Sequence, residues 1–209
     1  CAVSRQFPIR GSGSLLRRPA FQLAVDQVSV ALYAGEVVAV VGESGSGKSQ
    51  TALAIGRLQP TAANVTVDSI TLGETELTTF NNAQLRNVLG DQITYIFQEP
   101  MTALNPLLTC GKQILECAEV KSTDYLNELL LKVELTDTDR VSKSYPHELS
   151  GGQRQRVMIA MALAKKPKLL IADEPTTALD IAVQSEILAW LKKLSREGKM
   201  GILFITHDL

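Results

Sequence analysis

Continuous apolar runs recur along the chain and predict buried β-strands. VVAVV, which begins at Val37, is typical of a parallel strand that is buried on both faces. ITYIFQ, KLLIAD and GILFIT, which begin at Ile93, Lys168 and Gly201, predict further apolar strands. FQLAVDQVSVAL alternates only in part, as a half-buried strand does, and VSRQFPI near the start predicts a short edge strand.

Helical spacing appears between these runs. The residues after VVAVV predict a helix that continues to about Leu58, and NVTVDSITLGETEL predicts a return to strand and turn. GKQILECAEV, YLNELLLKVEL and GGQRQRVMIAMALAKK predict a helical block from Pro100 to about Lys166. AVQSEILAWLKKLSRE predicts a helix between the last two strands. Strands alternating with helices indicate a mostly parallel, doubly wound sheet.

Composition limits the possible classes of protein. The chain has 209 residues, of which 45% are apolar, and a net charge of −1, which argues against nucleic-acid binding through a general basic surface. Its three cysteines, Cys1, Cys110 and Cys117, form no C-x-x-C pair, which favours small buried thiols in a reducing compartment over a disulfide framework or a metal site.

The ends of the chain and its longest apolar runs suggest a fragment without a membrane span. No run approaches the roughly 20 apolar residues that a spanning helix needs, and no signal peptide is visible. The chain lacks an initiator Met and stops at FITHDL, straight after a strand-like run. We therefore expect that it is trimmed at the C-terminus and at the N-terminus.

A glycine-rich segment separates VVAVV from the helix that follows. Gly42 to Ser49 fits G-x-x-x-x-G-K-[ST], in the strand-to-helix context that this pattern requires, although a plain glycine-rich turn is the alternative. Glycines let backbone N–H groups converge on an anion, and a helix N-terminus adds partial positive charge. Lys48 would reach the β- and γ-phosphates, and the Ser49 hydroxyl would hold Mg²⁺. The predicted nucleotide-binding residues are Gly42, Glu43, Ser44, Gly45, Ser46, Gly47, Lys48, Ser49 and Gln50.

KLLIADEP carries two carboxylates at the end of an apolar strand. Asp173 can bind Mg²⁺ there, directly or through water, and Glu174 can polarise an attacking water as a general base. Alone, this pair is also compatible with an ordinary turn at a strand end. Together with the glycine-rich segment, it indicates hydrolysis of a nucleoside triphosphate.

A second anion-receptive helix start is predicted within YPHELSGGQRQRVMIAMAL. Ser150 can cap this helix, and Gly151 and Gly152 lie in its first turn. One nucleotide hardly needs two such sites in a single copy of the chain. The economical explanation is that this helix start serves a nucleotide bound to another copy.

Together these segments resemble the ATP-binding-cassette ATPases. Leu149-Ser150-Gly151-Gly152-Gln153 is similar to the family's signature, and the chain has the family's order of phosphate loop, Gln loop, signature, acidic strand, TALD segment and switch histidine. The resemblance covers the whole chain. It implies an α/β fold with a P-loop NTPase (RecA-like) core, a mostly parallel sheet, an antiparallel β subdomain and an inserted helical subdomain at about 100–166. It also implies a single domain over 1–209, truncated at the C-terminus.

The resemblance implies roles for further residues. Gln98, at the end of TYIFQ, matches the Gln loop, which contacts Mg²⁺ and the attacking water. Asp180 ends the TTALD loop that crosses the dimer interface, and His207 in FITHDL matches the switch histidine that contacts the γ-phosphate. Phe7 matches the aromatic residue that stacks on adenine, and Phe21 is its competitor.

Within the family, GESGSGKSQTALAI, IFQEPMTALNP and YPHELSGGQRQRVMIAMAL look most like the ATPase subunits of dipeptide, oligopeptide and nickel importers. That resemblance implies ATP and Mg²⁺ as cofactors and a second ATPase subunit, identical or different. It further implies a separate transmembrane permease, an indirectly coupled extracytoplasmic substrate-binding protein, no nucleic-acid partner, and a peripheral location at the cytoplasmic face of the cell membrane. Gln50 stands where the family often has Thr or Ser, and its backbone N–H should still reach the α-phosphate.

Two rival functions remain open. One is a soluble ABC ATPase that acts on ribosomes or DNA, although neither a second cassette nor a long coiled-coil insertion is visible. The other is a nucleotide-binding regulator that does not hydrolyse ATP, which the presence of Glu174 argues against.

The segment QEPMTALNP predicts a stiff, exposed connector, because Pro100 and Pro106 break regular structure at both ends. Met101 and Leu104 are its apolar residues. They either line a groove that accepts a short permease helix, as the resemblance implies, or pack under their own helices.

Overall fold

The computed structural model describes residues 2–9, 20–60, 63–97, 103–175 and 181–207, and for 2–9, 20–23 and 181–183 it describes the backbone alone. The chain divides into two compact units, one of Cys1–Ala31, Val40–Asn87 and His207–Leu209 and one of Leu32–Ala39 and Val88–Thr206. The strands are β1 (Ala2–Ile9), β2 (Ala20–Ser29), β3 (Val37–Val41), β4 (Asn64–Val67), β5 (Thr71–Leu72), β6 (Thr75–Glu76), β7 (Ile93–Ile96), β8 (Leu169–Asp173) and β9 (Gly201–Thr206). The helices are α1 (Lys48–Ile55), α2 (Asn82–Val88), α3 (Cys110–Cys117), α4 (Thr123–Lys132), α5 (Thr138–Lys143), α6 (Gly151–Leu163) and α7 (Ile181–Gly198).

The first unit contains an antiparallel sheet with the order β2-β1-β4. β1 is therefore its central strand, and the prediction of an edge strand at VSRQFPI is wrong. Pro8 favours an edge because it has no backbone N–H to donate. Pairing of β1 with β4 covers only Val3 to Gln6, so Pro8 lies beyond the end of that ladder and a central position is tolerated.

Helix α1 ends earlier than the predicted Leu58, because Gly56 is its C-cap and Arg57 has a φ of 50°. Arg57 donates to the carbonyl oxygens of Leu77 at 2.8 Å and Phe80 at 2.6 Å. These bonds fix the end of α1 to the segment that precedes α2. Helix α2 itself has no counterpart in the predicted elements.

The carboxylate of Glu76 organises the β5–β6 hairpin. It accepts hydrogen bonds from the Ser69 hydroxyl at 2.5 Å, from the Thr78 hydroxyl, and from the backbone N–H groups of Thr78 at 3.1 Å and Ile70 at 3.0 Å. These bonds, led by that from Ser69, lower the pKa of Glu76 from 4.5 to about 2. Because the pKa is lower in the folded state, the ionised side chain stabilises the fold above about pH 4.5, and this contribution is lost as the pH falls towards 2.

We expect Glu76→Gln to lower the stability of the chain at pH 7 and to matter much less at pH 3. The amide cannot accept all the bonds that the carboxylate accepts, whereas at pH 3 the wild type has begun to lose its advantage. Urea unfolding of both proteins at the two pH values measures the difference. Glu74→Gln, in the exposed turn of the same hairpin, is the matched control. If wild type and Glu76→Gln differ equally in free energy of unfolding at both pH values, the stabilising role of the ionised Glu76 carboxylate would be contradicted.

The second unit contains the parallel strands β7, β8 and β9, within a sheet of order β3-β9-β8-β7. β8 and β9 are buried almost throughout, as their continuous apolar runs predict. β3 differs from its prediction of burial on both faces, since Ala39 and Val41 are exposed. Among the described strands β3 lies at the end of this sheet, beside β9, which accounts for its partial exposure.

Helices α3 to α6 form the predicted helical block and share one apolar core with α7 and the strands of the second unit. Cys110 is fully buried and Cys117 is partly buried, both as free thiols on α3. Burial is the main cause that raises the pKa of Cys110 to about 11 and also raises the pKa of Cys117. These thiols are therefore packing residues, as the sequence favours.

Leu104 belongs to this core and is 4% exposed. The alternative in which it lines an exposed docking groove is therefore wrong, and it packs under its own helices. Met101 lies outside the described residues. Among the helices of the described ranges, none combines the length and the apolar character that crossing a bilayer requires.

Candidate nucleotide-binding site

The segment from Gly42 to Ser49 forms an open loop between β3 and α1. Glu43, Ser44, Gly45 and Ser46 are exposed, and the Ser46 N–H donates to the Glu43 carbonyl at 3.2 Å, which closes a turn. The backbone of this loop is thus accessible to a ligand along most of its length. This is the strand–loop–helix context that the motif predicts.

Gly47 is a position that only glycine can occupy. Its φ is 93°, and a Cβ there would lie 2.3 Å from the carbonyl oxygen of Ala24 and 2.9 Å from a methyl of Val25. The loop can therefore pack directly on β2 before it enters α1. Gly47 is also the N-cap of α1, so no side chain satisfies the first N–H groups of that helix. A helix start of this kind is receptive to an anion.

Lys48 folds back over the loop that precedes it. Its ammonium donates to the carbonyl oxygens of Gly42 at 2.6 Å and Glu43 at 2.8 Å, and the residue is 8% exposed. Among the described residues no carboxylate forms an ion pair with it. A nearly buried cation without a counter-ion, next to an uncapped helix start, is suited to binding a polyphosphate.

Two neighbours complete the first turn of α1. Ser49 is half-buried, and Gln50 has a buried side-chain oxygen without a hydrogen-bond partner. The Thr51 N–H donates to the Gly47 carbonyl at 2.9 Å, so regular helical bonding begins only there. The start of a helix has no intrahelical partners for its first N–H groups, which suits it to receiving an anion.

The acidic pair lies at the carboxyl end of β8. Asp173 pairs in register with Ile205 of β9 and is 8% exposed. The N–H of Glu174 donates to the Ile205 carbonyl at 2.9 Å, and Glu174 has a φ of 48°. This left-handed conformation is uncommon for a residue other than glycine, and such strain clusters at functional sites. His207 follows the last residue of β9 and is exposed.

The signature segment forms the predicted helix start. Ser150 caps α6 by accepting from the Gln153 N–H at 3.3 Å, and the Gln153 side chain accepts from the Ser150 N–H at 3.2 Å. Leu149 is buried, whereas Ser150 and Gly151 are exposed and Gly152 is half-buried. The buried leucine therefore holds the segment in place, and its small residues are accessible. Such an arrangement suits contact with another molecule.

Arg156 fixes the orientation of α6, a role that the sequence did not indicate. Its guanidinium donates to the Val133 carbonyl at 3.2 Å and to the carboxylates of Glu134 at 2.8 Å and Glu186 at 3.0 Å. The Arg156 side chain is only 14% exposed. It thus joins the signature helix both to the end of α4 and to α7, with the geometry to which a planar guanidinium is suited.

Leu107, which follows the predicted connector, is an apolar residue with 81% of its surface exposed. The Asn105 side chain accepts from the Leu107 N–H at 2.9 Å. The buried Gln113 accepts from the Asn105 N–H at 2.8 Å and donates to the carbonyls of Asn105 at 3.0 Å and Leu108 at 2.9 Å. Leu107 therefore lies on a turn that hydrogen bonds from Asn105 and Gln113 hold in place. The turn signal Asn-Pro was visible in the sequence, whereas the brace from Gln113 was not.

Several predicted residues fall outside what the structure describes. Gln98 and Asp180 lie outside the described residues, and of Phe7 and Phe21 only the backbone is described. In that backbone Phe7 pairs with Gln22, and Phe21 pairs with Pro8. The Gln-loop, interface-loop and adenine-stacking assignments therefore remain predictions.

Comparison with known proteins defines the class. The model of the family described as "ABC transporter" matches residues 25–177, and the chain belongs to this family. A dimeric structure of a post-hydrolysis state of an ATP-binding cassette, bound to ADP and Pi, has a TM-score of 0.72 and 31% identity and covers 98% of this chain and 88% of its own. A dimeric bacterial ABC transporter cassette gives a TM-score of 0.74 and 30% identity, covering 99% of this chain and 88% of its own. The predicted fold class is confirmed.

Particular relatives are ATP-binding proteins of transport systems. The peptidoglycan transport ATP-binding protein YejF of Agrobacterium fabrum (strain C58) is 54% identical over 198 residues, which is 91% of this chain and 36% of the relative. The oligopeptide transport ATP-binding protein AppD of Bacillus subtilis (strain 168) is 47% identical over 194 residues, which is 89% of this chain and 59% of the relative. The predicted resemblance to peptide-importer ATPases is confirmed, and the chain spans only part of the length of these relatives.

Proposed function

We propose that this chain is the ATP-binding and ATP-hydrolysing part of an importer for small peptides. The observation that carries the proposal is the nearly buried Lys48 ammonium, held by two loop carbonyls beside the uncapped start of α1. The family and the names of the relatives support both the nucleotide and the cargo class. Neither supports the alternative of a soluble ATPase acting on ribosomes or DNA.

The donor set fits ATP with Mg²⁺. The Ser49 hydroxyl of the first unit and the Asp173 carboxylate of the second unit are each oxygen donors, which a hard cation prefers. That both bind one ion is what the family resemblance implies. Among the described residues, no group of three or more His, Cys, Asp or Glu side chains could hold a metal. In phosphate-transfer sites Mg²⁺ uses one or two carboxylates together with substrate phosphates, so a small donor set suits it. Bound Mg²⁺ would neutralise charge that develops on the phosphates.

The chain's own residues divide the remaining work. Lys48 and the N–H groups at the start of α1 hold the β- and γ-phosphates. Glu174 accepts a proton from the attacking water, and its backbone bond to Ile205 fixes the position of the residue at the end of β8. Gln98 and His207 contact the water and the γ-phosphate, and Phe7 or Phe21 stacks on adenine, as the family resemblance implies. Glu43, Ser44 and Ser46 shape the loop.

Release of inorganic phosphate from ATP tests this function. The purified chain should release phosphate in the presence of Mg²⁺ and ATP, and the release should stop when Mg²⁺ is chelated. Absence of release from a chain that still binds ATP would favour the rival function of a nucleotide-binding regulator. Uptake of labelled peptide by vesicles that contain the permease and the binding protein tests the cargo class.

The signature segment is proposed to complete the nucleotide site of a second subunit. Its exposed Ser150 and Gly151 lie at the start of a helix, which suits contact with a γ-phosphate supplied by another molecule. The two neighbouring structures are dimeric cassettes, which supports pairing. The second subunit is either an identical chain or a homologous one, and Asp180 would lie at their interface.

Ser150→Arg should reduce ATP turnover about 10²-fold, the scale of losing groups that stabilise the transferring phosphate. ATP binding to the single chain should stay within about twofold, because the phosphate loop is a separate element. Phosphate release and calorimetry on the same preparation measure both quantities. Ser122→Arg is the matched control, because Ser122 caps α4 in the same way and has no proposed role in turnover. Specific activity of the wild type that does not change with chain concentration would contradict the shared site.

A permease is the proposed membrane partner, and the chain would act as a peripheral subunit at the cytoplasmic face. Leu107 replaces Leu104 as the apolar contact in this proposal, because it is 81% exposed on a turn braced by Gln113. Met101 remains a candidate beside it. The extracytoplasmic binding protein would act only through the permease.

Leu107→Glu should weaken assembly with the permease by about 10²-fold, because a carboxylate buried without a partner costs several kcal/mol. ATP hydrolysis by the isolated chain should change by less than about twofold, since Leu107 is on the surface. Pull-down with the permease and phosphate release measure the two effects. Leu131→Glu, at an exposed leucine of α4, is the control. Equal weakening of assembly by both substitutions would contradict a specific role for Leu107.

A further inference from the structure

A cavity of about 230 Å³ lies within the second unit, between α4, the end of α6 and the end of α7. Its lining is mostly apolar and includes Leu129, Leu163, Pro167, Leu194 and Met200. All of these except Leu194 are buried, so they form a packed floor. None of the residues with a proposed role towards ATP lines this cavity.

Charged side chains of both signs also line the cavity, namely Lys132, Lys166 and Glu197. The Lys132 ammonium forms an ion pair with Glu128. The Lys166 ammonium lies 5.6 Å from the centre of the Tyr125 ring, whose hydroxyl donates to the Ala164 carbonyl at 2.8 Å. The Tyr125 ring therefore has a fixed position as one wall.

Lys166 and Glu197 are the two lining charges outside the ion pairs of the described residues, although the Lys166 ammonium also interacts electrostatically with the Glu128 carboxylate. Within the described ranges neither of them forms an ion pair. A ligand of one sign would meet an attractive group and a repulsive group in the same cavity. A ligand with a cation and an anion on an apolar body can pair both, and it can also cover the apolar floor.

We propose that this cavity binds a small zwitterion with an apolar side chain, of the class of apolar amino acids and dipeptides. The carboxylate pairs with Lys166 and the ammonium pairs with Glu197. The apolar side chain lies on Leu129, Leu163 and Met200. The site is separate from the proposed nucleotide site and does not depend on ATP hydrolysis.

Calorimetry with defined probes tests the charge requirement. L-leucine, L-phenylalanine and the dipeptide Leu-Leu should bind in the absence of nucleotide. Acetyl-leucine and leucinamide each lack one of the two charges, and diglycine lacks the apolar side chains. Each of them should therefore bind at least about tenfold more weakly than L-leucine. Equal affinity for leucine and leucinamide would overturn the proposal, as would no binding of any zwitterionic probe up to about 10 mM.

Variants test the location. Gly198 lines the cavity, and a Cβ there would meet no heavy atom within 4 Å, so Gly198→Leu adds bulk at the cavity edge without a clash. Gly198→Leu should abolish binding, and Lys166→Gln and Glu197→Gln should each weaken it about tenfold. Lys193→Gln, an exposed lysine of α7 that does not line the cavity, should have no effect. Unchanged affinity in the surface variants Lys166→Gln and Glu197→Gln would overturn the proposal even if Gly198→Leu failed to fold.

Discussion

Glu174→Gln should retain ATP binding and lose at least about 10²-fold in turnover, the scale of losing a general base. The amide has the shape of the carboxylate but cannot accept the proton of the attacking water. The backbone of the residue should be unchanged, because its φ of 48° and its bond to the Ile205 carbonyl do not involve the side chain. ATP should then remain bound without being hydrolysed, which should favour the paired state of the cassettes.

Single-turnover phosphate release and calorimetry measure this separation of binding from chemistry. Glu116→Gln, at an exposed glutamate of α3, is the control for removing one negative charge. It should change neither ATP binding nor turnover. Near-normal turnover in Glu174→Gln would remove the general-base role from this residue. Loss of ATP binding together with turnover would instead point to a structural role for the strand end.

Lys48→Ala should weaken ATP binding by at least about 10²-fold, because two or more charge-assisted bonds to phosphate are lost. Turnover should be lost with it. The ammonium in this structure is bound to the Gly42 and Glu43 carbonyls and has no counter-ion among the described residues. Its removal therefore breaks no ion pair among the residues that the structure describes, and the loss should fall on the ligand.

Lys48→Met is the second variant for this test, because it keeps the bulk of a nearly buried side chain and removes only the charge. Both variants should unfold within a few degrees of the wild type in a thermal scan. Lys112→Ala, at an exposed lysine of α3, is the control for net charge. Unchanged ATP affinity in Lys48→Met would refute the phosphate-loop assignment.

The elements that the sequence predicted well are those in which local pattern and burial agree. β8 and β9 are continuous apolar runs and are buried on both faces. Position 47 requires glycine because its φ is positive and because β2 approaches it closely. The glycine of the motif could therefore be recognised from the sequence alone. Ser150 and Gln153 form a capping box, which is likewise a short-range signal.

The elements that the sequence did not predict depend on long-range pairing. The central position of β1 follows from its ladder with β4, which is distant in the chain. Leu104 is buried by packing from other helices, although the local sequence around it predicts an exposed connector. The three-way bonding of Arg156 joins residues on separate elements, so no spacing along the chain revealed it.

Backbone amide shifts during titration with Mg²⁺ and ATP show whether the loop Gly42–Ser49 holds the triphosphate. We expect the N–H signals from Gly45 to Gln50 to shift with a single saturable dependence on ATP. The signal of Leu129, on the floor of the cavity in the second unit, should not move. ATP binding that leaves the signals of Gly47, Lys48 and Ser49 unmoved would show that the triphosphate is held elsewhere.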